Sequence, residues 1–80
     1  MKLIFENKVA EERERQDKKW GIQDHNPEYW LIIMMEEVGE VAQTLCGESV
    51  ELDKLEGELI QVAAVCKAMW ESGKRQGWIQ

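Results

Sequence analysis

Eighty residues make at most one domain with a modest core, and a formal net charge of -6 excludes a nucleic-acid binder working through a basic face. Two cysteines are too few for a disulfide scaffold, and no apolar run approaches the roughly 18 residues of a membrane span. Met1-Lys2-Leu3-Ile4-Phe5 meets Glu6 after only three apolar residues, so no signal peptide and a reduced, cytoplasmic setting are expected.

The chain reads as all-α, one domain over 1–80, with helices at about 3–19, 27–46 and 50–72. The first helix carries Leu3, Ile4, Phe5, Val9 and Ala10, then a charged half from Glu11 to Lys19, and Trp20-Gly21 ends it. The second opens with Asn26 as N-cap and Pro27 at the first helical position. Gly47 stands just past its end, where a left-handed C-cap is expected. Ser49 is placed to cap the third helix, with Glu51 and Asp53 in its first turn complementing the helix dipole. Gly73, followed by Lys74 and Arg75, is expected to close it. Along this helix Leu52, Leu55, Leu59, Val62, Cys66 and Met69 alternate in steps of three and four, a heptad-like seam. Ile60, Ala63, Ala64, Val65 and Trp70 lie beside the seam, so the apolar arc is too wide for packing on one side only. A second subunit is the expected cover, giving a three-helix chain that forms helical bundles through oligomerisation, as a homodimer or homotetramer. Cys46 and Cys66 read as small buried hydrophobes, and no Cys/His spacing suggests zinc.

The second helix contains an anomaly. Its inward stripe runs from Trp30 through Ile33 or Met34 to Val41 and Leu45, and position 37 on that stripe is Glu. Glu40 follows one turn later on the same face, and Glu36 repels Glu40 across one turn. Gly39 among them costs about 1 kcal/mol relative to Ala. Charge on an apolar stripe is costly unless something pairs with it, and carboxylate oxygens are what a hard divalent cation prefers. The third helix offers Glu58 and Gln61, again at i and i+3. If the second and third helices pack antiparallel, the two pairs meet across the bundle. A solvated acidic face is the competing account of the same residues.

The segment Glu36-Glu37-Val38-Gly39-Glu40-Val41, followed by Glu58-Leu59-Ile60-Gln61-Val62-Ala63, resembles the MazG-like nucleotide pyrophosphohydrolases, whose pattern is EExxE, a spacer and ExxD. The stretch from Glu12 to Gly21, containing Gln16-Asp17-Lys18-Lys19-Trp20-Gly21, and Trp30 resemble the compact, phage-type members. The resemblance implies an all-α fold, oligomers built from helical bundles, and Mg²⁺-dependent cleavage of a nucleoside triphosphate to monophosphate and pyrophosphate, with Mn²⁺ as a substitute ion. By position, Glu37, Glu40 and Glu58 match metal ligands, and Glu36 would orient or deprotonate the attacking water. Gln61 stands where the family has its second ExxD acid. Its amide oxygen can ligate Mg²⁺ but brings no charge.

Trp20 and Trp30 could each stack on a base or pack in the core. His25, in the loop before the second helix, is a local hydrogen-bond partner or a substrate contact. Lys18 and Lys19 are either phosphate partners or a solvated helix end. The expected partners are a nucleoside triphosphate and further copies of the chain, with no nucleic acid and no membrane. The alternative to a working hydrolase is a catalytically impaired helical oligomer that binds nucleotide or metal or serves as a protein-interaction module.

Overall fold

A computed structural model describes residues 4–80. Met1, Lys2 and Leu3, used above for the leader argument and the start of helix one, lie outside the described residues. The described chain is all-helical: α1 spans Ile4–Trp20, α2 spans Pro27–Cys46 and α3 spans Leu55–Gln76, with a 3₁₀ turn at Leu52–Lys54 leading into α3. None of these helices is long and apolar enough to cross a membrane. Helix α3 is the middle element. Both α1 and α2 pack on it, and they do not pack on one another. A cleft therefore remains between them, floored by α3.

The chemistry of the helix ends is mostly local. Asn26 is extended and its Oδ1 accepts from the Tyr29 N–H at 2.8 Å, with Pro27 following as expected. The Gly21 N–H donates to the Asp17 carbonyl at 2.8 Å, and the φ of 75° at Gly21 is the left-handed turn that ends α1. Three expectations need correction. Gly47 is extended (φ -78°, ψ -178°) rather than left-handed. Its small size matters instead, because a Cβ there would stand 2.7 Å from the Gln43 carbonyl oxygen. Ser49 does not cap α3. The Glu51 N–H turns back to the Thr44 carbonyl at 3.3 Å and the 3₁₀ turn intervenes, so α3 begins at Leu55, with Glu56 and Glu58 in its first turn. Gly73 does not close α3 but lies buried within it, where a Cβ would come 2.6 Å from the Ile79 side chain. The left-handed cap is Gly77, at φ 86°, whose N–H donates to the Gly73 carbonyl at 2.9 Å.

The core gathers Trp30, Val65 and Ala68, with Ile33, Met34, Met69 and Trp78 packed against them. The most covered row of α3 is Ala64, Ala68 and Ser72, four residues apart, not the leucine seam. Small side chains let two helices approach α3 at once. Leu52 and Leu59, on the expected seam, are 65% and 45% exposed. The arc expected to need a second subunit is thus partly covered within the chain. Both cysteines are exposed rather than buried. Cys46 ends α2, and Cys66 lies on the outer side of α3 with its Sγ 3.9 Å from Met34 Sδ.

Paired charges join the elements. Arg13 donates through Nε and Nη2 to Glu71 Oε1 at 3.2 and 2.8 Å, tying α1 to α3. Asp24 in the α1–α2 loop accepts from Ser72 Oγ at 2.8 Å and from Arg75 Nη2 at 2.7 Å.

Candidate metal centre

Glu37 and Glu40 share a face of α2 because they are one turn apart, and the antiparallel turn brings Glu58 of α3 opposite them. One carboxylate oxygen from each of Glu37, Glu40 and Glu58 lies within 4.8 Å of the others. Glu37 and Glu58 are half-buried and Glu40 is exposed. Among the described residues, no lysine or arginine forms an ion pair with these three or with Glu36.

The electrostatic consequence is uniform in sign. Partial burial pushes the Glu37 carboxyl above its ordinary range, and the charges of Glu40, Glu58, Glu36 and Glu12 push it further. Glu40 is also raised, by desolvation first, then by the charge of Glu58 and a hydrogen bond with Glu58 that favours the protonated form. Ionised together, these groups repel. A divalent cation among them would attract each carboxylate, outweigh their mutual repulsion and favour the ionised forms.

Glu37 also lines the cleft between α1 and α2, a space of about 210 Å³ whose walls include Trp20, Trp30, Gln16 and Asp17. Trp30 is only 4% exposed, and its Nε1–H has no acceptor in the fold. Glu40 and Glu58 line a second, more open groove of about 640 Å³ with Thr44 and Lys54. The three carboxylates therefore stand between two concave surfaces.

The other sequence candidates are distributed unevenly. Trp20 is half-exposed at the cleft mouth with Lys19 Nζ 4.8 Å from its ring centroid. Lys18 pairs with Glu14 at 3.9 Å on the surface of α1. His25 is packed against the rings of Tyr29 and Trp30, at 4.7 and 4.9 Å between centroids, and its carbonyl accepts from Gln76 Nε2 at 2.8 Å. Lys18, Lys19 and His25 are not part of the cleft wall. Gln61 is in the wall, but its amide is engaged with α1: Oε1 accepts from Gln16 Nε2 at 3.3 Å, and Glu12 is hydrogen-bonded to Gln61.

Glu12 was not singled out from the sequence as a site residue. Its charge reaches Glu37, while its own carboxyl is held below the ordinary range, chiefly by the hydrogen bond from Arg15 and then, against burial, by Gln61. The signal was present in the register of α1. Val9, Glu12 and Gln16 sit at i, i+3 and i+7, so two polar residues continue the row of the buried Val9. No protein-family model matches the chain, and neither the curated proteins nor the solved structures contain a match.

Proposed function

We propose that this chain is a Mg²⁺-dependent nucleoside triphosphate pyrophosphohydrolase, working as a homodimer or homotetramer and cleaving an NTP or dNTP to the monophosphate and pyrophosphate. The observation that carries this reading is the meeting of Glu37, Glu40 and Glu58, without counter-cations among the described residues, beside a tryptophan-walled cleft. The donor set fits the ion: three hard oxygen ligands whose mutual repulsion the metal would relieve. Mg²⁺, or Mn²⁺ in its place, would supply neutralisation of the triphosphate and polarisation of the attacked phosphorus. The resemblance of the Glu36–Val41 and Glu58–Ala63 segments to MazG-like enzymes supplies the reaction type.

The residues of the chain have distinct tasks in this reading. Glu37, Glu40 and Glu58 hold the metal. Glu36, exposed beside Glu37, orients or deprotonates the attacking water. Trp20, half-exposed at the cleft mouth, receives the base, and the buried Trp30 forms part of the cleft's inner wall. A reducing, cytoplasmic setting suits the two free, exposed thiols.

One observation favours a second reading, a catalytically impaired oligomer that binds nucleotide or metal. The Gln61 amide is turned to Gln16 and Glu12 instead of standing free for a metal. The test is pyrophosphate release over a panel of canonical and deoxy nucleoside triphosphates with Mg²⁺ or Mn²⁺, with Glu37→Gln and Glu40→Gln as controls. Release that both variants lose supports the hydrolase. No release from any nucleotide, with metal binding retained, selects the second reading.

A further inference from the structure

The end of α3 carries a seat that the metal centre does not use. Gly73 is buried inside the helix, a position where glycine is a poor helix former. Its missing side chain makes room: a Cβ there would stand 2.6 Å from Cγ1 and Cδ1 of Ile79 and 2.9 Å from Cζ3 of Trp78. Gly77, at φ 86°, reverses the chain, and the N–H groups of Gly77 and Ile79 both donate to the Gly73 carbonyl, at 2.9 and 3.1 Å. Lys74 Nζ donates to the Gln80 carbonyl at 2.8 Å. Trp78 and Ile79 are thereby laid back on α3, both half-buried.

Trp78 packs against the core cluster of Trp30, Val65 and Ala68. The same three residues line the cleft between α1 and α2, and Trp78 does not. The cluster therefore has the cleft on one side and Trp78 at its back. The last turn of α3 converges on the same wall. Gln76 Nε2 donates to the His25 carbonyl at 2.8 Å, and the His25 ring meets Trp30 edge-on at 4.9 Å between centroids.

We infer that Trp78 is a positioning residue for the cleft: seated in the Gly73 notch, it backs the wall of Trp30, Val65 and Ala68 and fixes the width in which a nucleotide's base is held. It rests on the reading of the cleft as the nucleotide's seat and not on hydrolysis. A close-packed interior transmits a change of volume to its neighbours, so emptying the space behind the wall loosens the wall. The metal centre is spared. Glu58 lies fifteen residues before Gly73, roughly 22 Å along the helix. The Trp78 Nε1–H is buried without an acceptor in the fold, so shape and not a hydrogen bond seats the ring, and phenylalanine should serve in its place.

The experiment measures two affinities on the full chain. One is for the Mg²⁺ complexes of the α,β-methylene analogues of ATP, GTP, CTP and UTP, which cannot be cleaved between the α- and β-phosphates. The other is for Mn²⁺ alone. The proteins are the parent, Trp78→Ala, Trp78→Phe and Gly73→Ala, each held where circular dichroism shows it folded. Trp78→Ala and Gly73→Ala should bind the parent's best analogue at least several-fold more weakly, Trp78→Phe should bind it as the parent does, and Mn²⁺ affinity should be the same in all four. Gly73→Ala keeps every side chain of the cleft and displaces only the residues seated on it, so it decides the matter should Trp78→Ala fail to fold. Undiminished analogue affinity in either folded variant overturns the role of Trp78 and leaves the nucleotide seat standing. Equal losses of analogue and Mn²⁺ affinity overturn it too, as a general loosening of the fold. A parent that binds none of the analogues overturns the nucleotide seat itself, and this role with it.

Discussion

The two ends of α3 use the same side chain in opposite ways. Towards its C-terminus, Glu71 takes two hydrogen bonds from Arg13, and Asp24 of the neighbouring loop takes Arg75 and Ser72. The Asp24 carboxyl is held low, by Arg75 first and Ser72 second. Towards its N-terminus, Glu58 meets Glu37 and Glu40 with no basic partner among the described residues, and both α2 carboxyls are pushed up. The chain does not lack cations with which to pair acids. Lys8, Arg13 and Arg75 join α1 and the loop to α3, Arg15, Lys18 and Lys54 pair with acids of their own segments, and among the described residues none pairs with the trio. Such an arrangement weakens the isolated fold locally, and it is what a site prepared for an external cation requires.

The largest expected effect breaks the acidic end. In the proposed hydrolase, Glu37→Gln would remove one of the three ligand charges, and several kcal/mol of charge stabilisation would depend on the metal they hold. Pyrophosphate release should fall by at least about a hundredfold, since each 1.4 kcal/mol is a factor of ten. The same substitution should raise the melting temperature of the metal-free protein, because it removes repulsion. A variant that loses stability and keeps activity would place the metal elsewhere. The matching change at the paired end has the opposite sign. Arg13→Ala should cost about 2 kcal/mol by denaturant titration, because Glu71 loses its charge-assisted hydrogen bonds at a part-buried site. A change within error would show that α1 is held by its apolar contacts alone.

A smaller effect sharpens the contrast through pH. A carboxyl whose folded pKa lies above its unfolded value binds more protons in the native state, so stability grows as pH falls through that raised value. Glu37 and Glu40 are of this kind. Glu12 and Asp24 are of the other kind: their stabilising contribution is present above the unfolded pKa and is lost as pH falls through the lowered folded one. Metal-free stability should therefore rise from neutral pH towards about 4–5 and decline below it. Glu37→Gln should flatten the first limb, and Asp24→Asn the second. Saturating Mg²⁺ should abolish the first limb by favouring the ionised carboxylates. A first limb unchanged by Mg²⁺ would mean that the ion does not bind the trio.

What could be read in the sequence divides along local and non-local lines. The start of α2 was legible because Asn26 and Pro27 do their work within one turn. The carboxylate trio was legible because Glu37 and Glu40 interrupt the inward stripe of α2 one turn apart, and consecutive helices packed antiparallel bring the early acids of α3 opposite the late ones of α2. The start of α3 was not legible, since the Glu51 N–H is claimed by Thr44, across the turn. Nor was the choice between the leucine seam and the Ala64-Ala68-Ser72 row. Periodicity finds an apolar stripe, but only the packing of two helices on one decides that the small row goes innermost. Glu12 escaped notice because its ties within α1, to Arg15 and Gln16, look like an ordinary solvated face, while Gln61 and the charge of Glu37 come from the other two helices.

Gln61 sits where the two kinds of carboxylate environment meet, and its replacement is the finest test of the comparison. Its amide donates to Glu12, on the paired side, and accepts from Gln16, while its neighbour one turn earlier is Glu58, on the unpaired side. Asp at this position is shorter by one methylene and cannot donate when ionised. Gln61→Asp should therefore give up the link to Glu12, at about 1 kcal/mol for the lost hydrogen bond. It should also add a fourth negative charge beside the trio, further lowering metal-free stability. In return, a carboxylate is a better ligand than an amide oxygen for a hard cation. The variant should bind Mg²⁺ more tightly and turn over several-fold faster at limiting metal, with the advantage vanishing at saturation. The measurement is pyrophosphate release against Mg²⁺ concentration for the parent and the variant. Coincident curves from two active proteins would assign Gln61 to the joint between α1 and α3 and remove it from the metal's surroundings. Loss of activity at every Mg²⁺ concentration would show instead that the amide, held by Gln16 and Glu12, is what keeps α1 in register with the acids of α2 and α3.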